Sequence, residues 1–364
     1  MPDQPPRGKK GPKGTNEVAE ASRFRLAAPS KITVLRVRGT GQHIALPSVV
    51  SFTLGREQAA GDPPEPRATV RLPSKGKSVS LQHAVFEWRG DRLWCRDSGS
   101  TNGTQANRQP QHDWFVVNSG MRLDFGDVAV IAMDWRLVEL CQPLAWCLGL
   151  EAHKDIDHAI STIQGGGPIV LIGPRHNDQE WLARKIHDAS ERREYPFTPI
   201  TTKLPRGTAP VLTAARFGSV FVDLAAVGKI TSAFASELFA GEAPHLLVRP
   251  MIAAPSHIAV QRALQQLGEG QAMTLPSLQK RQAEAVRLIE VLLKEHKSPH
   301  RLRDLGDDLV ARLASHGWAN LNEIREAERR IRAVLETDNR TQAAARIGTS
   351  RQALNKYLAR IFGD

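Results

Sequence analysis

The chain has 364 residues, of which 41% are hydrophobic and 24% charged, and its formal net charge is +11 at pH 7. This length accommodates two or three domains, and the hydrophobic content supports packed cores, which excludes a wholly disordered protein. The positive charge favours an anionic partner such as nucleic acid, with the arginine-rich composition of high-GC bacterial proteins as the alternative explanation.

Cysteine usage and hydropathy exclude further classes. The three cysteines are Cys95, Cys141 and Cys147, which cannot all pair and form no CxxC motif, so neither a metal site nor a disulfide framework is expected. No apolar run reaches the length of a membrane helix, and the N-terminus lacks the apolar segment of a signal peptide. We therefore expect a cytoplasmic protein without a membrane partner.

Residues 1–30 are rich in proline, glycine and lysine, which indicates a disordered basic tail. A solvated linker is favoured over nonspecific contact with nucleic acid.

Residues 31–140 show short alternating runs separated by Gly, Asp, Asn and Ser, a pattern typical of an all-β sandwich with binding residues in its loops. Strands are predicted at residues 32–37, 49–54, 84–88, 92–95 and 128–131.

Small polar side chains cluster in two predicted turns of this region. One turn holds Ser80 and His83, the other holds Thr101 and Asn102, and Arg56 follows the second predicted strand. An arginine offers a charge-assisted fork to a phosphate, and hydroxyl and amide groups add neutral hydrogen bonds. The alternative is that these residues only form turns.

The ordered set of motifs resembles a forkhead-associated (FHA) domain. It comprises Gly55-Arg56, Ser80-x-x-His83, the run Gly99-Ser100-Thr101-Asn102-Gly103-Thr104, and Gly126-Asp127. Members of that family bind phosphothreonine peptides.

The resemblance implies a role for each matched position. Arg56, Ser80 and Thr101 would contact the phosphate, Asn102 would hold the peptide backbone, and His83 would brace the loop from inside. Gly55 and Gly103 would have structural roles at the pocket. Leu81 stands where the family often has a polar or basic residue, so affinity or peptide preference is expected to differ.

Residues 141–265 read as a connector, to Gly167, followed by a parallel α/β domain. Apolar runs at residues 169–172, 219–223 and 246–252 alternate with helical patterns. The loop after the first run stands where a phosphate-binding loop would lie, yet only Gly173 remains of its glycines. Gln179 replaces its lysine, and Asp178 would repel phosphate.

This region resembles the AAA+ domain of NtrC-like activators of sigma-54 RNA polymerase. By that resemblance Asp223 matches the magnesium aspartate, but Leu224 replaces the glutamate that would activate water, and Asn322 replaces an arginine of the lid. The residues near the sensor strand are Pro255-Ser256, and residues 198–217 contain no sigma-contacting GAFTGA sequence. These losses indicate a degenerate nucleotide site, no enzyme activity and no cofactor.

Residues 266–320 are expected to form a helical lid, and residues 321–364 a helix-turn-helix. Thr341 is predicted to cap the first helix of this motif, Gly348 to form the turn and Ser350 to cap the second helix. Residues 339–364 hold five basic residues against one acidic residue, a net charge of +4.

This end resembles the Fis-type DNA-binding end of the same activators. Bases and phosphates would be contacted by Arg351, Gln352, Asn355, Lys356 and Arg340. Dimerisation through residues 321–337 is expected, giving a homodimer or higher oligomer and a near-palindromic site. The alternative is a plain helical hairpin with a solvated basic face.

The sequence thus predicts a multidomain chain, ordered as an all-β FHA sandwich, an α/β AAA+-like domain, and an all-α lid with a helix-turn-helix. The favoured function is a bacterial transcriptional regulator that binds a phosphothreonine-bearing protein and DNA. Two alternatives are a phosphopeptide-binding adaptor in kinase signalling without DNA binding, and a working ATPase.

Overall fold

The computed structural model describes residues 30–58, 68–74, 77–175, 177–202, 209–227, 248–256 and 272–363. The predicted basic tail lies outside these ranges, apart from Ser30. A β-sandwich comes first, followed by an α/β unit around a parallel sheet and then by helices, which confirms the predicted order of an all-β part and a parallel α/β part. No helix within these ranges has the length and apolar content needed to cross a membrane.

The sandwich is built from short strands that alternate inward apolar and outward polar residues. The strands are β1 Ile32–Val37, β2 His43–Ala45, β3 Ser51–Arg56, β4 Thr69–Leu72, β5 Ala84–Arg89, β6 Arg92–Asp97, β7 Thr104–Ala106, β8 Gln109–Gln111, β9 Phe115–Val117, β10 Arg122–Phe125 and β11 Val128–Asp134. One sheet has the order β2-β1-β11-β10-β7-β8, and the other has the order β4-β3-β5-β6-β9. Phe52 and Phe86 stack between the sheets with ring centroids 5.1 Å apart.

The β-structure ends at Asp134, and helix α1, Trp135–Leu148, begins at once. The Asp134 side chain caps this helix by accepting a hydrogen bond from the Leu137 N–H at 3.0 Å. Much of the predicted connector is therefore helical, because the buried residues Leu137, Leu140 and Leu144 recur at helical spacing and face the α/β unit.

A buried ion pair joins the sandwich to helix α2, His153–Gln164. Arg36 Nε lies 2.8 Å from Asp157 Oδ1, and the two side chains are 4% and 2% exposed. The second carboxylate oxygen of Asp157 accepts a hydrogen bond from the Gly39 N–H at 2.7 Å. Because both charges are shielded from water, they are stabilised by each other and by the Gly39 N–H.

The α/β unit contains a five-stranded sheet whose strands are all parallel and mostly buried. The strands are β12 Ile169–Ile172, β13 Phe197–Ile200, β14 Ser219–Asp223, β15 Arg249–Ala254 and β16 Ala272–Thr274; the helices are α3 Gln179–Ala189, α4 Ala209–Ala214 and α5 Leu224–Val227. The order of the strands in the sheet is β13-β14-β15-β12-β16, so β12 lies between β15 and β16. In such sheets a crevice opens at the carboxyl ends of the strands where the order reverses. Leu246 and Leu247, the start of the third predicted strand, lie outside the described residues.

The C-terminal part is helical. Two 3-10 segments, Leu278–Glu284 and Leu302–Leu305, accompany the helices α6 Ala285–Glu295, α7 Asp307–Ser315, α8 Leu321–Leu335, α9 Arg340–Arg346 and α10 Arg351–Phe362. The helical lid predicted over residues 266–320 is interrupted at Gly306, whose φ of 89° lies outside the helical region.

The caps of the last two helices differ in one respect from the sequence prediction. Asn339, and not Thr341, caps α9, since its Oδ1 accepts hydrogen bonds from the N–H groups of Thr341 and Gln342. Asn at this position reaches two free N–H groups of the first turn, and Thr341 already lies inside the helix. Ser350 Oγ caps α10 by accepting from the Ala353 N–H at 3.1 Å.

Candidate functional site

The end of β3 approaches the loop after β4 so closely that only glycine fits. A Cβ added at Gly55 would lie 1.8 Å from the carbonyl oxygen of Leu81. The next residue, Arg56, donates its backbone N–H to the Ser80 carbonyl at 3.1 Å. These contacts place the Arg56 backbone beside the turn that carries Ser80.

Arg71 supports this approach, although sequence reasoning gave it no role. It lies opposite Gly55 in the parallel pair of β3 and β4. Its guanidinium donates to the carbonyl oxygens of Arg56 at 2.7 Å and Leu81 at 3.1 Å. No local pattern identifies such a residue, because its partners lie 10 and 15 positions away in sequence.

His83 is fully buried and connects the two turns. Its Nδ1 accepts a hydrogen bond from the Ser80 N–H at 3.1 Å, so Nε2 carries the proton and donates to the Gly103 carbonyl at 3.0 Å. Burial lowers the pKa of His83 in spite of the opposing effects of the Gly103 carbonyl and Asp97. The ring is therefore held neutral in the form that both turns require.

The second turn is organised by Asp97, at the end of β6. Oδ1 accepts from the N–H groups of Gly99 and Ser100, and Oδ2 accepts from the hydroxyls of Ser100 and Thr104 at 2.7 Å. Burial raises the pKa of Asp97, but these hydrogen bonds outweigh it and lower the pKa below its usual range. An aspartate two positions before a glycine is a recognisable turn signal, which could have identified this role from sequence.

Two contacts join the turns at the rim. Ser80 Oγ accepts a hydrogen bond from the Thr101 N–H at 3.2 Å, and Asn102 Nδ2 donates to the Ser78 carbonyl at 2.8 Å. The structure thus brings Arg56, Ser80, Thr101 and Asn102 together at one end of the sandwich, with Thr101 and Asn102 exposed. The Asn102 amide nitrogen carries two hydrogens, so it can hold the Ser78 carbonyl with one and donate the other to a peptide.

The rim has the chemistry of an anion site. Because Ser80 Oγ accepts from Thr101, its own hydroxyl hydrogen is left to donate to a ligand. Arg56 supplies a permanent positive charge, with its Nη1 3.0 Å from the Glu57 carbonyl.

The second candidate region is the carboxyl edge of the parallel sheet. A cleft of about 640 Å³ there is lined by residues that include Gly173, Gln179, Asp223 and Asn322. Gln179 Nε2 donates to the carbonyls of Gly173 at 3.1 Å and Pro174 at 2.6 Å. Two carbonyl oxygens of this loop are thus turned toward the Gln179 side chain, whereas a phosphate needs converging N–H groups.

The acidic positions of this cleft are also engaged within the chain. Asp223 Oδ1 accepts from the Ala225 N–H at 2.9 Å and so caps α5, and Leu224 is buried in the core. Asp178 accepts hydrogen bonds from Trp146 Nε1 at 2.6 Å and from Arg325 of α8. Sequence reasoning gave Arg325 no role, and no local pattern reveals this long-range partner.

The third candidate region is α10. Arg351, Gln352 and Lys356 are exposed on this helix, and Asn355 is half-buried. Arg340, at the start of α9, donates to Asn355 Oδ1 at 3.2 Å, which brings the two helices' predicted contact residues together.

The helix predicted to mediate dimerisation, α8, packs its apolar residues inside the chain. Leu321, Ile324, Ala327 and Ile331 of α8 belong to the buried core that α6 also enters. The apolar stripe of α8 is thus covered intramolecularly, and dimerisation through this helix stays a prediction.

Comparison with known proteins addresses the sandwich most directly. The FHA domain family model matches residues 52–126. A solved FHA domain from work on phosphothreonine-dependent FHA interactions is 27% identical, covers 29% of this chain and 97% of that chain, and has a TM-score of 0.24.

Two larger proteins also match. EmbR of Mycobacterium tuberculosis in complex with a low-affinity phosphopeptide is 19% identical over 28% of this chain and 24% of that chain, with a TM-score of 0.24. NtrX from Brucella abortus in complex with ATP is 18% identical over 57% of this chain and 67% of that chain, with a TM-score of 0.34. No curated protein matches the chain. Within this multidomain chain, residues 52–126 therefore constitute an FHA domain.

Proposed function

We propose that this chain is a transcriptional regulator that binds a phosphothreonine-bearing protein through its FHA domain and DNA through its C-terminal helices. In this proposal the cleft at the carboxyl edge of the parallel sheet is a degenerate nucleotide site that does not hydrolyse ATP. The observation that carries the proposal is the convergence of Arg56, Ser80 and Thr101 at the exposed rim of the FHA domain.

Phosphate recognition follows from the chemistry of that rim. A phosphate accepts a charge-assisted bond from Arg56 and a neutral one from the Ser80 hydroxyl. The buried, neutral His83 and the turn around Asp97 hold both loops in place before a ligand arrives. The loops therefore lose little conformational entropy when the ligand binds.

The test is binding to a phosphothreonine peptide library, measured by fluorescence anisotropy. We expect phosphorylated peptides to bind and their unphosphorylated forms to fail, with Arg56→Ala reducing affinity by roughly tenfold or more. Arg92→Ala is the matched control, because Arg92 is exposed at the opposite end of β6 from Asp97. Equal binding of both peptide forms, or no effect of Arg56→Ala, would refute phosphate recognition.

DNA binding is supported by the exposed basic and amide side chains of α10. Arginine and glutamine can read base edges, and lysine grips phosphates. We expect binding to duplex DNA that weakens steeply with salt and that is reduced by Arg351→Ala and Lys356→Ala. Arg303→Ala is the control, since its side chain is 86% exposed outside these helices. If no duplex binds at low salt, the DNA-binding part of the proposal is refuted, and a phosphopeptide-binding adaptor without DNA binding becomes the favoured function.

Loss of ATP hydrolysis is supported by the buried Leu224, by Asn322 in place of the lid arginine and by the carbonyls turned toward the Gln179 side chain. We expect no release of phosphate above background when the chain is incubated with Mg-ATP, because Leu224 stands where the water-activating glutamate would be. ATP turnover that disappears in Asp223→Ala would refute this part of the proposal.

A further inference from the structure

The C-terminal helix-turn-helix is carried by a helix that also belongs to the α/β core. The N-terminal half of α8 packs into the large core through Leu321 and Ile324. Its C-terminal half contributes Ala333 to the small core formed with Ala343, Ala344, Leu354 and Leu358. One continuous helix therefore joins the two units without a linker.

The face of α8 toward α6 is occupied by polar contacts as well as apolar ones. Glu328 is 1% exposed, and its Oε1 accepts from Arg332 Nε at 2.7 Å and lies 3.0 Å from His296 Nδ1. Arg332 is on the same helix, whereas His296 caps the end of α6, so separating the two helices would remove one partner of this buried carboxylate. The contact between α6 and α8 is thus a built interface.

The remaining surface of α8 does not suit a second copy. Asn322 and Arg329 are its only exposed residues. The half-buried arginines are engaged within the chain, since Arg325 contacts Asp178 and Arg330 lies over the Tyr357 ring at 3.8 Å. The cores of protein interfaces are apolar and depleted of charge, so this helix offers no stripe for self-association.

The end of α10 is also attached to the rest of the chain, through α7. Arg312 of α7 donates to the carbonyls of Phe362 and Gly363 at the end of α10. The exposed side chains Arg351 and Gln352 lie at the opposite end of that helix, and the exposed Lys356 lies near its middle. The motif is held at both ends by its own chain, and the start of α10 is left open.

We propose, on the basis of the DNA binding proposed above, that this helix-turn-helix reads DNA as a single copy at one asymmetric half-site. Two-fold helix-turn-helix proteins bind half-sites about 10 base pairs apart, because their dimer interface fixes the spacing of the two recognition helices. Here the apolar face of α8, the helix that would form such an interface, is buried in the chain's own core.

The first test is the solution mass of the full chain, measured by sedimentation velocity without DNA. We expect a single species at the chain mass of 40.1 kDa. A stable dimer that persists in Arg351→Ala but dissociates on substitution of exposed Arg329 would overturn the proposal, because it would place α8 at an interface.

The second test uses the DNA sequence enriched by in vitro selection from random duplexes. The expected motif is non-palindromic and shorter than one helical turn of about 10 base pairs. Anisotropy titration at stoichiometric concentration should give one chain per duplex. A palindromic motif with two chains bound in one cooperative step would overturn the proposal.

The third test places two copies of the selected motif in inverted orientation and lengthens the spacer by half a helical turn. If single copies bind independently, each site has the same affinity in the duplex with the original spacer and in the duplex with the longer spacer. A dimer would gain about 100-fold from the second half-site and would lose that gain when the half-sites face different sides of the helix. Failure to bind any duplex would instead refute the proposed DNA function, and the solution mass would still decide the state of α8.

Discussion

The Arg325 guanidinium donates two hydrogen bonds to one carboxylate oxygen of Asp178, at 3.1 Å from Nε and 2.8 Å from Nη2. The arginine also lies against two indole rings, 5.0 Å from the centroid of Trp146 and 4.8 Å from that of Trp181. Asp178 immediately precedes α3, at the loop that would hold a nucleotide phosphate in a working site. The chain's own side chains thus connect that loop to α8.

Arg325→Ala is expected to lower the free energy of unfolding by about 2 kcal/mol, because Asp178 is only 8% exposed and loses its charged partner. Urea denaturation followed by tryptophan fluorescence measures this effect. Arg303→Ala, on an 86% exposed side chain, should leave the midpoint unchanged. Asp178→Asn combined with Arg325→Ala should cost less than the sum of the single changes, and strict additivity would contradict the pairing.

Gly55→Ala is expected to destabilise the FHA domain by about 1–3 kcal/mol and to remove phosphopeptide binding. The added methyl group would overlap the Leu81 carbonyl, so β3 and the loop would have to separate. Gly317→Ala is the matched control, since a Cβ there meets nothing within 4 Å. Thermal unfolding and peptide anisotropy measure the two effects, and wild-type behaviour of Gly55→Ala would show that the close approach is not required.

Stability is expected to fall as the pH is lowered through 6.5, the ordinary pKa of histidine. Burial lowers the pKa values of His83 and His187, and burial together with Arg36 lowers that of His43. Within the window from 6.5 down to these lowered values, the unfolded chain binds more protons than the folded chain, so stability rises with pH. Above the window the full stability is present.

His83→Asn should reduce the slope of the unfolding midpoint against pH between 5 and 7. His112→Asn, the same change at an exposed histidine, is the matched control. Circular dichroism melts at several pH values make the comparison. An unchanged slope in His83→Asn would show that this ring does not contribute to the pH dependence.

The three thiols are expected to react slowly with a thiol reagent in the folded protein at pH 8 and rapidly in urea. Burial raises the pKa of Cys141 to about 11 and also raises the pKa values of Cys95 and Cys147. All three cysteines are buried and free. Rapid labelling of a native thiol would reveal local opening around that cysteine.

Much of the sandwich was predictable because its longer strands alternate over five or six residues. Residues 32–37 coincide with β1, and residues 84–88 fall within β5. Strands such as β7 and β8 have three residues each, too few for a period to show. Their positions depend on pairing with β10 and with each other, which are long-range contacts.

The candidate site shows the same division between local and long-range information. Gly55, Arg56, Ser80 and Thr101 could be selected because their residue types carry recognisable turn and phosphate chemistry. Arg71 could not, because its importance lies in carbonyl groups that only the folded chain brings near it.

The ion pair between Arg36 and Asp157 limits how this protein can be divided. A fragment ending at Asp134 would carry a nearly buried arginine without its carboxylate, and the rest of the chain would keep the unmatched acid. A fragment that ends after α2, at Gln164, keeps this ion pair together, but it uncovers the α1 leucines that face the α/β unit. A boundary at the end of the β-structure would therefore separate Arg36 from Asp157, while a boundary after Gln164 would leave the pair intact.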